Sequence, residues 1–536
     1  MISYADFRKM MAAFRVPRLN GAGDALVVAG NQIPIAWRTT GNKVAILGNS
    51  ITAQNYPNWA GNDAGWTSAT AIATSAFRSP SVYDLTNGYI PLRYQATTGG
   101  TSGAVEPVWP VVAGGTVTDG TVVWTAVANS AVPYWNPSWW HLAQGLSGQR
   151  LREVFIAGRS GQLSSDILLY LDRALATSPD IVYFATMFEN DCWPGTAPSL
   201  PTVTAAWTAT SAAMDRCRYL GKKVMVNTVL PNASIDASSA FTGYVRGNGT
   251  KAWQWLNAQI REFARTRPDV VLVDVAQAYV DPNPANPVWP ENTVTYLSNT
   301  GSGQQLKKTD GVHPYGAGGW FIAQVLSPIL SSNFPAVSNF GTASDVNKQS
   351  KNPLNGGTGG TAGTNTSGTI AASMTLNTYG TGTGTASLVA RTDLSGNWQQ
   401  LAASYTTADN VDYNTGTISL NNFAAGDLLQ GFAEIKVLAN PTLLKQLYLR
   451  MDYSGASPNQ SLSGTDAGAT AQDLGQFLTA DTLFTVKTVP MVAPAGVTGF
   501  NLYARTIGRN TAVAAAWTAQ YGRSCVTKVV GNPALS

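Results

Sequence analysis

VAILGNSITAQN, residues 44–55, decides the fold of this chain. An apolar run ends at Gly48, Asn49 and Ser50, and the chain then turns polar. With Lys43 in front, KVAIL (43–47) has the length and composition of a buried parallel strand closed by a glycine. Four more runs of this kind follow: EVFIAG (153–158), DIVYFATM (180–187), KKVMVNTVL (222–230), which Pro231 closes, and DVVLVDV (269–275). Helical spacing fills the gaps. Leu163, Ile167, Leu168, Leu171 and Leu175 share one face, with Ser164 or Ser165 as cap. Trp207, Met214 and Cys217 mark a second helix that Gly221 can end. Leu256, Ile260 and Phe263 mark a third, and Trp320, Phe321, Val325 and Leu326 a fourth. This alternation predicts a three-layer, doubly wound α/β domain over residues 43–335, with ligands at the C-terminal ends of the strands. Ser50 stands at such an end.

The rest of the chain is organised around that domain. Its 536 residues suffice for two to four domains. Residues 1–42 form an N-terminal segment without the continuous apolar core of a signal peptide. Residues 80–140 are rich in Gly, Thr and Trp, and GTVTDGTVVWTAV has two alternating runs around Asp119-Gly120. That predicts a hairpin within a small β-rich insertion. Residues 340–370 have the composition of a flexible linker. From 371 to 536 alternating strands such as GFAEIKVL, KQLYLRMDYSG and GFNLYARTIG follow one another, which predicts an all-β sandwich.

Composition narrows the function classes. Hydrophobic residues make up 44% and charged residues 12%, about half the usual charged share. The chain can bury cores and presents a polar, uncharged surface. A net charge of +4 without a Lys/Arg run gives no footprint for nucleic acid. No apolar stretch is long enough to insert in a membrane. Cys192, Cys217 and Cys525 are too scattered for a metal site or a disulfide framework and are expected as buried or free thiols.

A nucleophilic serine needs a base, a group that orients the base, and donors for the oxyanion. The chain has two histidines. His141, in NPSWWHLAQG, lies in an aromatic stretch without a nearby acid and is expected to pack or cap. His313 lies in KKTDGVHPYGAGGW, three residues after Asp310, on a loop constrained by Pro314 and glycines. A carboxylate at that spacing can reach the imidazole Nδ1 and leave Nε2 as base. Asp191 and Asp274 are alternative carboxylates, expected to be structural.

These residues, in this order, resemble the SGNH (GDSL-type) hydrolases over about residues 43–330. Gly48-Asn49-Ser50 matches the family's first block and Asp310-Gly311-Val312-His313 its last. AGRSGQLSSD supplies Gly161 where the second block has its oxyanion glycine, with Gly158 as runner-up, and MFEND supplies Asn190 for the third. Asn49 stands where the family has an acid, and Phe188 where it has a glycine. The resemblance implies a flavodoxin-like SGNH fold and a cofactor-free serine esterase. Its catalytic residues would be Ser50, Asp310 and His313, and its oxyanion donors Ser50, Gly161 and Asn190.

Residues 89–127 resemble, more loosely, a β module of bacteriophage tail proteins, and the C-terminal region resembles their sandwich tips and carbohydrate-binding modules. This context implies a tail-spike or tail-fibre O-deacetylase on the virion tail. It would act extracellularly on acetylated polysaccharide of the bacterial cell surface, as a homotrimer or beside other tail proteins. Trp135, Trp139 and Trp140 are candidates to stack on sugar rings, with core packing the favoured reading for each. A lipase or thioesterase, and an inactive glycan-binding tail protein, are the alternatives.

Overall fold

A computed structural model describes residues 18–19, 25–28, 31–34, 41–53, 64–80, 82–84, 92–110, 114–128, 139–159, 161–192, 200–230, 248–278, 314, 316–336, 339–341, 348–380, 382–405, 410–414, 418–419, 422–455, 460–464, 478–488, 491–493, 495–508 and 515–528. Within the first 42 residues, Arg18–Leu19, Ala25–Val28 and Asn31–Pro34 pair as a small antiparallel sheet.

The five apolar runs are five parallel strands. They are β1 (Lys43–Asn49), β3 (Arg152–Arg159), β4 (Ile181–Phe184), β5 (Lys223–Asn227) and β6 (Val270–Val273). A short antiparallel strand, β2 (Val82–Asp84), closes one edge, giving the order β6-β5-β4-β1-β3-β2. The chain winds one way from β1 to β3 and the other way from β4 to β6, so the order reverses at β1.

Side chains alternate across a strand, and β1 divides its residues between two cores. Val44 and Ile46 join the core that contains Trp139, Trp140 and Ala143 of α1 (Trp139–Leu146) and Trp320, Ile322, Ala323 and Leu326 of α6 (Gly316–Asn333). Ala45 and Leu47 join the core built by α2 (Ser164–Leu168), α3 (Leu171–Ala176), α4 (Leu200–Tyr219) and α5 (Asn248–Arg265). The result is three layers, as the alternation predicts.

Two local expectations differ. The helix expected through Leu163–Leu175 breaks at Leu169 and Tyr170, and Leu169 is 78% exposed. Ser164 is the first helical residue of α2 rather than its cap. The helix expected to end at Gly221 does so: Gly221 has φ +75°, and the Lys222 N–H returns to the Cys217 carbonyl at 2.9 Å.

The β-rich insertion starts earlier than residue 80. Its five-stranded sheet runs Thr116–Asp119, Val122–Ala128, Leu92–Thr98, Phe77–Ser79, Ala64–Gly65. Val82–Asp84, inside the expected range, belongs to the main sheet instead. The hairpin turns on Gly120 and Thr121, one residue later than expected, because Asp119 pairs with Val122. The Asp119 carboxylate is committed to the module's interior, where it accepts from the Trp66 and Trp124 indoles at 2.8 and 3.0 Å and from the Gly103 N–H at 2.7 Å.

The C-terminal region is a two-sheet sandwich. One sheet is built on Ala515–Lys528 and Leu428–Ala439, the other on Gly499–Gly508 and Leu444–Ser454. The segment expected as a linker, 340–370, is largely part of it. Lys348–Gln349 pairs with Ala515–Lys528, Thr361–Ala362 with Thr375–Thr378, and Thr366–Gly368 with Thr383–Ala390. Asn355 fixes this segment: its amide donates to the Tyr521 and Gly522 carbonyls at 3.0 and 3.1 Å, and its oxygen accepts from the Tyr413 hydroxyl at 2.7 Å. Gly- and Thr-rich composition conceals such side-chain-to-backbone bonds.

The sandwich docks at the N-terminal ends of the parallel strands. Phe484 packs on Gly145 of α1 so closely that a Cβ there would overlap the ring. The Gln149 amide donates to the Thr485 carbonyl at 2.6 Å. Lys487 reaches both oxygens of Glu153 at 2.6 and 2.8 Å, and the Trp140 indole donates to the same carboxylate at 2.6 Å. Burial pushes the Glu153 carboxyl up, yet Lys487, His141 and the hydrogen bonds outweigh it and hold it at about 2.

This pair yields a test. Lys487→Met leaves the Glu153 charge buried without its cation and should cost about 3–5 kcal/mol in urea denaturation. The folded pKa of Glu153 lies below its ordinary 4.5, so the stabilisation is complete above about 4.5 and is lost as the pH falls towards 2. The substitution should flatten that acid limb; an unchanged limb would contradict the assignment.

Candidate active site

Ser50 follows directly on β1 and opens a one-turn helix, Ser50–Ala53. Parallel neighbours hold β1 on both sides: Gly158 and Arg159 of β3 face Gly48 and Asn49, and Phe184 of β4 faces Leu47. Ser50 thus stands where the strand order reverses, the usual ligand crevice of open α/β sheets. It is 4% exposed. Its backbone is not left-handed, so it lacks the strained turn of a nucleophile elbow.

Gly48 is required by what packs on it. A Cβ there would overlap Thr52 Oγ1 and lie 2.7 Å from Thr186 Oγ1. Those two hydroxyls are hydrogen-bonded at 2.7 Å. Thr186 follows β4 and ties it to the end of β1, since its carbonyl accepts from the Asn49 N–H at 2.9 Å and its hydroxyl donates to Asn49 Oδ1 at 2.9 Å. Asn49 Oδ1 also accepts from the Ile51 N–H at 3.0 Å, across Ser50. Asn49 Nδ2 donates to Glu189 Oε2 at 2.9 Å. The sequence reading singled out Asn49 only as a departure from a pattern and missed Thr186 and Glu189. The clue was the coincidence of that departure with a glutamate beside Asn190.

The remaining candidate donors lie on the flanking turns. Gly161 is two residues beyond β3, exposed, with φ +74°. Gly158, the runner-up, lies within the strand opposite Gly48. Asn190 lies in the one-turn helix Glu189–Cys192, and its Nδ2 donates to the Gln162 carbonyl at 2.7 Å. That uses one of its two amide hydrogens. Phe188 is buried against Trp207, ring centroids 6.1 Å apart, so the core absorbs the side chain found in place of glycine.

Asp191 and Asp274 both make structural contacts. Asp191 accepts from the Ser164 N–H at 2.9 Å and hydroxyl at 3.1 Å, and so caps α2 from the one-turn helix Glu189–Cys192. Asp274 accepts from Arg261 at 2.8 and 2.9 Å and from the Thr228 hydroxyl at 3.0 Å. Asp310 and His313 lie outside the described residues, as does Trp135; Pro314, next in the chain, is buried just before α6. His141 is half-buried beside the Glu153–Lys487 pair, at the opposite end of the sheet from Ser50. Burial, aided by Lys487 and opposed by Glu153, lowers its pKa to about 4. Trp139 and Trp140 are fully buried and do not present a face to sugar, and all three cysteines are buried free thiols. Among the described residues, no cluster of His, Cys, Asp or Glu is arranged to hold a metal ion, and no helix is long and apolar enough to cross a membrane.

No family model and no curated protein matches this chain. Solved structures do. A GDSL-like lipase from Bacteroides thetaiotaomicron VPI-5482 is 22% identical over 34% of this chain and 76% of its own, with a TM-score of 0.25. A catalytic mutant of an acetylxylan esterase from Geobacillus stearothermophilus is 13% identical over 56% and 97%, with a TM-score of 0.30. A structure of carbohydrate-binding modules of the β-sandwich superfamily is 9% identical over 29% and 57%, with a TM-score of 0.22. The likenesses are partial.

Two substitutions probe this geometry. Gly48→Ala should cost roughly 1–3 kcal/mol by chemical denaturation, as overpacked sites do; an unchanged midpoint would remove the packing argument. Burial, against the two Ser164 bonds, raises the Asp191 carboxyl to about 6 from an ordinary 3.8. Its stabilisation is therefore present below about 3.8 and is lost as the pH rises through about 6. Wild-type Tm should fall relative to Asp191→Asn between pH 4 and pH 6; a constant gap would show that Asp191 does not titrate there.

Proposed function

We propose that this protein is a serine esterase of the SGNH type that removes acetyl groups from a bacterial surface polysaccharide as part of a phage tail. One observation carries the esterase reading: Ser50 sits at the reversal point of the sheet, on a strand end bonded to the loop that bears Asn190. In this reading Ser50 Oγ attacks the ester carbonyl while His313 takes its proton, and Asp310 holds the imidazole. The Ser50 and Gly161 N–H groups and the free amide hydrogen of Asn190 receive the oxyanion. His313 then protonates the leaving alcohol, and water releases acetate from the acyl-enzyme. Activity rises as the histidine deprotonates, near pH ~6.5–7 for an imidazole in an ordinary environment.

The accessory parts favour a large substrate. The β-rich insertion leaves the α/β domain just after Ser50–Ala53, and its strand Phe77–Ser79 lies three residues from Val82, which pairs with Ala157 near the end of β3. The insertion therefore leaves and re-enters the α/β domain at the end of the sheet that bears Ser50. The sandwich is docked at the far end of the sheet, which suits attachment, assembly with further copies, or glycan binding at a distance.

The test is hydrolysis of p-nitrophenyl acetate and octanoate by wild type and Ser50→Ala, with acetate release from acetylated polysaccharide alongside. Acetyl turnover should fall by about 10,000-fold or more in the variant. Preference for octanoate would shift the reading to a lipase. A folded wild type that turns over neither ester but binds glycan would make it a receptor.

A further inference from the structure

The pairing of Asn49 with Glu189 has a consequence for the proposed site, and the inference rests on the esterase reading above. Both side chains are buried, Asn49 at 1% exposure and Glu189 at 3%. Asn49 Oδ1 faces two donors, the Ile51 N–H and the Thr186 hydroxyl, so the orientation of its amide is fixed and Nδ2 must point at Glu189. Glu189 in turn presents one oxygen to Asn49 Nδ2 and the other to the Leu230 N–H, at 2.9 and 3.4 Å. Ser50 is the next residue after Asn49, and Asn190 the next after Glu189. We propose that Asn49 and Glu189 are a matched pair of positioning residues: their hydrogen bond sets the separation between the nucleophile and the oxyanion asparagine.

The pair also explains why an amide, not an acid, stands at position 49. An aspartate there could keep the bonds from Ile51 and Thr186, but its second oxygen would face the Glu189 carboxylate. Two buried carboxylates at hydrogen-bond distance either repel each other and part the loops or take up a proton to share, and both outcomes replace the amide–carboxylate bond. The chemistry is reciprocal. With glutamine at 189 and aspartate at 49, the glutamine amide donates to the aspartate and its oxygen still accepts from Leu230. Between these two positions the donor–acceptor match returns with its polarity reversed.

The test is a double-mutant cycle on p-nitrophenyl acetate hydrolysis with Asn49→Asp, Glu189→Gln and the double variant, with thermal unfolding of each. Asn49→Asp should lower kcat at least about tenfold with KM little changed, since misplacement of an oxyanion donor acts on the transition state. Glu189→Gln should have a smaller effect, because one amide–amide mismatch replaces a charge clash. The double variant should recover to within about threefold of wild type, a coupling that independent sites would not give. Should Asn49→Asp fail to fold, a folded and active double variant is the same rescue read in stability. Wild-type kcat in Asn49→Asp, or a double variant no better than the worse single one, overturns the pairing while leaving the esterase reading intact. An inactive wild type overturns that reading, and this inference with it.

Discussion

Parallel pairing of β1 on both of its edges is the constraint on which the rest depends. A strand held between two parallel neighbours must be apolar on both faces, and KVAIL supplies that. Val44 and Ile46 feed one core and Ala45 and Leu47 the other. The strand also ends where the order of the sheet reverses, so the residue after it enters a crevice instead of a covered surface. Gly48, Asn49 and Ser50 inherit their environment from that placement.

Two buried polar assemblies lie at opposite ends of this sheet. At the C-terminal end, Asn49, Thr52, Thr186 and Glu189 join the loops after β1 and β4. At the N-terminal end, Glu153, Trp140 and Lys487 join the sheet to the sandwich. Each assembly depends on complementary partners, because an unmatched polar group in either place carries a desolvation penalty. The first assembly borders Ser50, and the second joins the domains.

What the sequence disclosed follows from how far its signals reach. The five parallel strands were legible because burial on both faces produces continuous apolar runs. The sandwich strands were legible by alternation, although Thr383–Ala390, Asn397–Tyr405 and Ala515–Lys528 were not among those singled out. The small inward Ala519 and the buried polar Gln520 and Ser524 mute the pattern in the last of them. The 340–370 segment was misjudged because its order comes from Asn352 and Asn355 bonding to distant backbone. The hairpin register slipped by one because Asp119 serves two indoles rather than the turn. Asn49 and Glu189 are 140 residues apart, beyond any local pattern. Ser50, Gly161 and Asn190 were singled out by block order, and the structure places all three at one end of the sheet; Asp310 and His313 lie outside the described residues and enter through the sequence.

The central claim is that Ser50 is an activated nucleophile. The most direct measurement is peptide mapping by mass spectrometry after treatment with diisopropyl fluorophosphate, which phosphorylates activated serines. The account predicts a single adduct on Ser50 itself, absent from His313→Ala. An adduct on another serine, or an unmodified Ser50 in the folded protein, would contradict it.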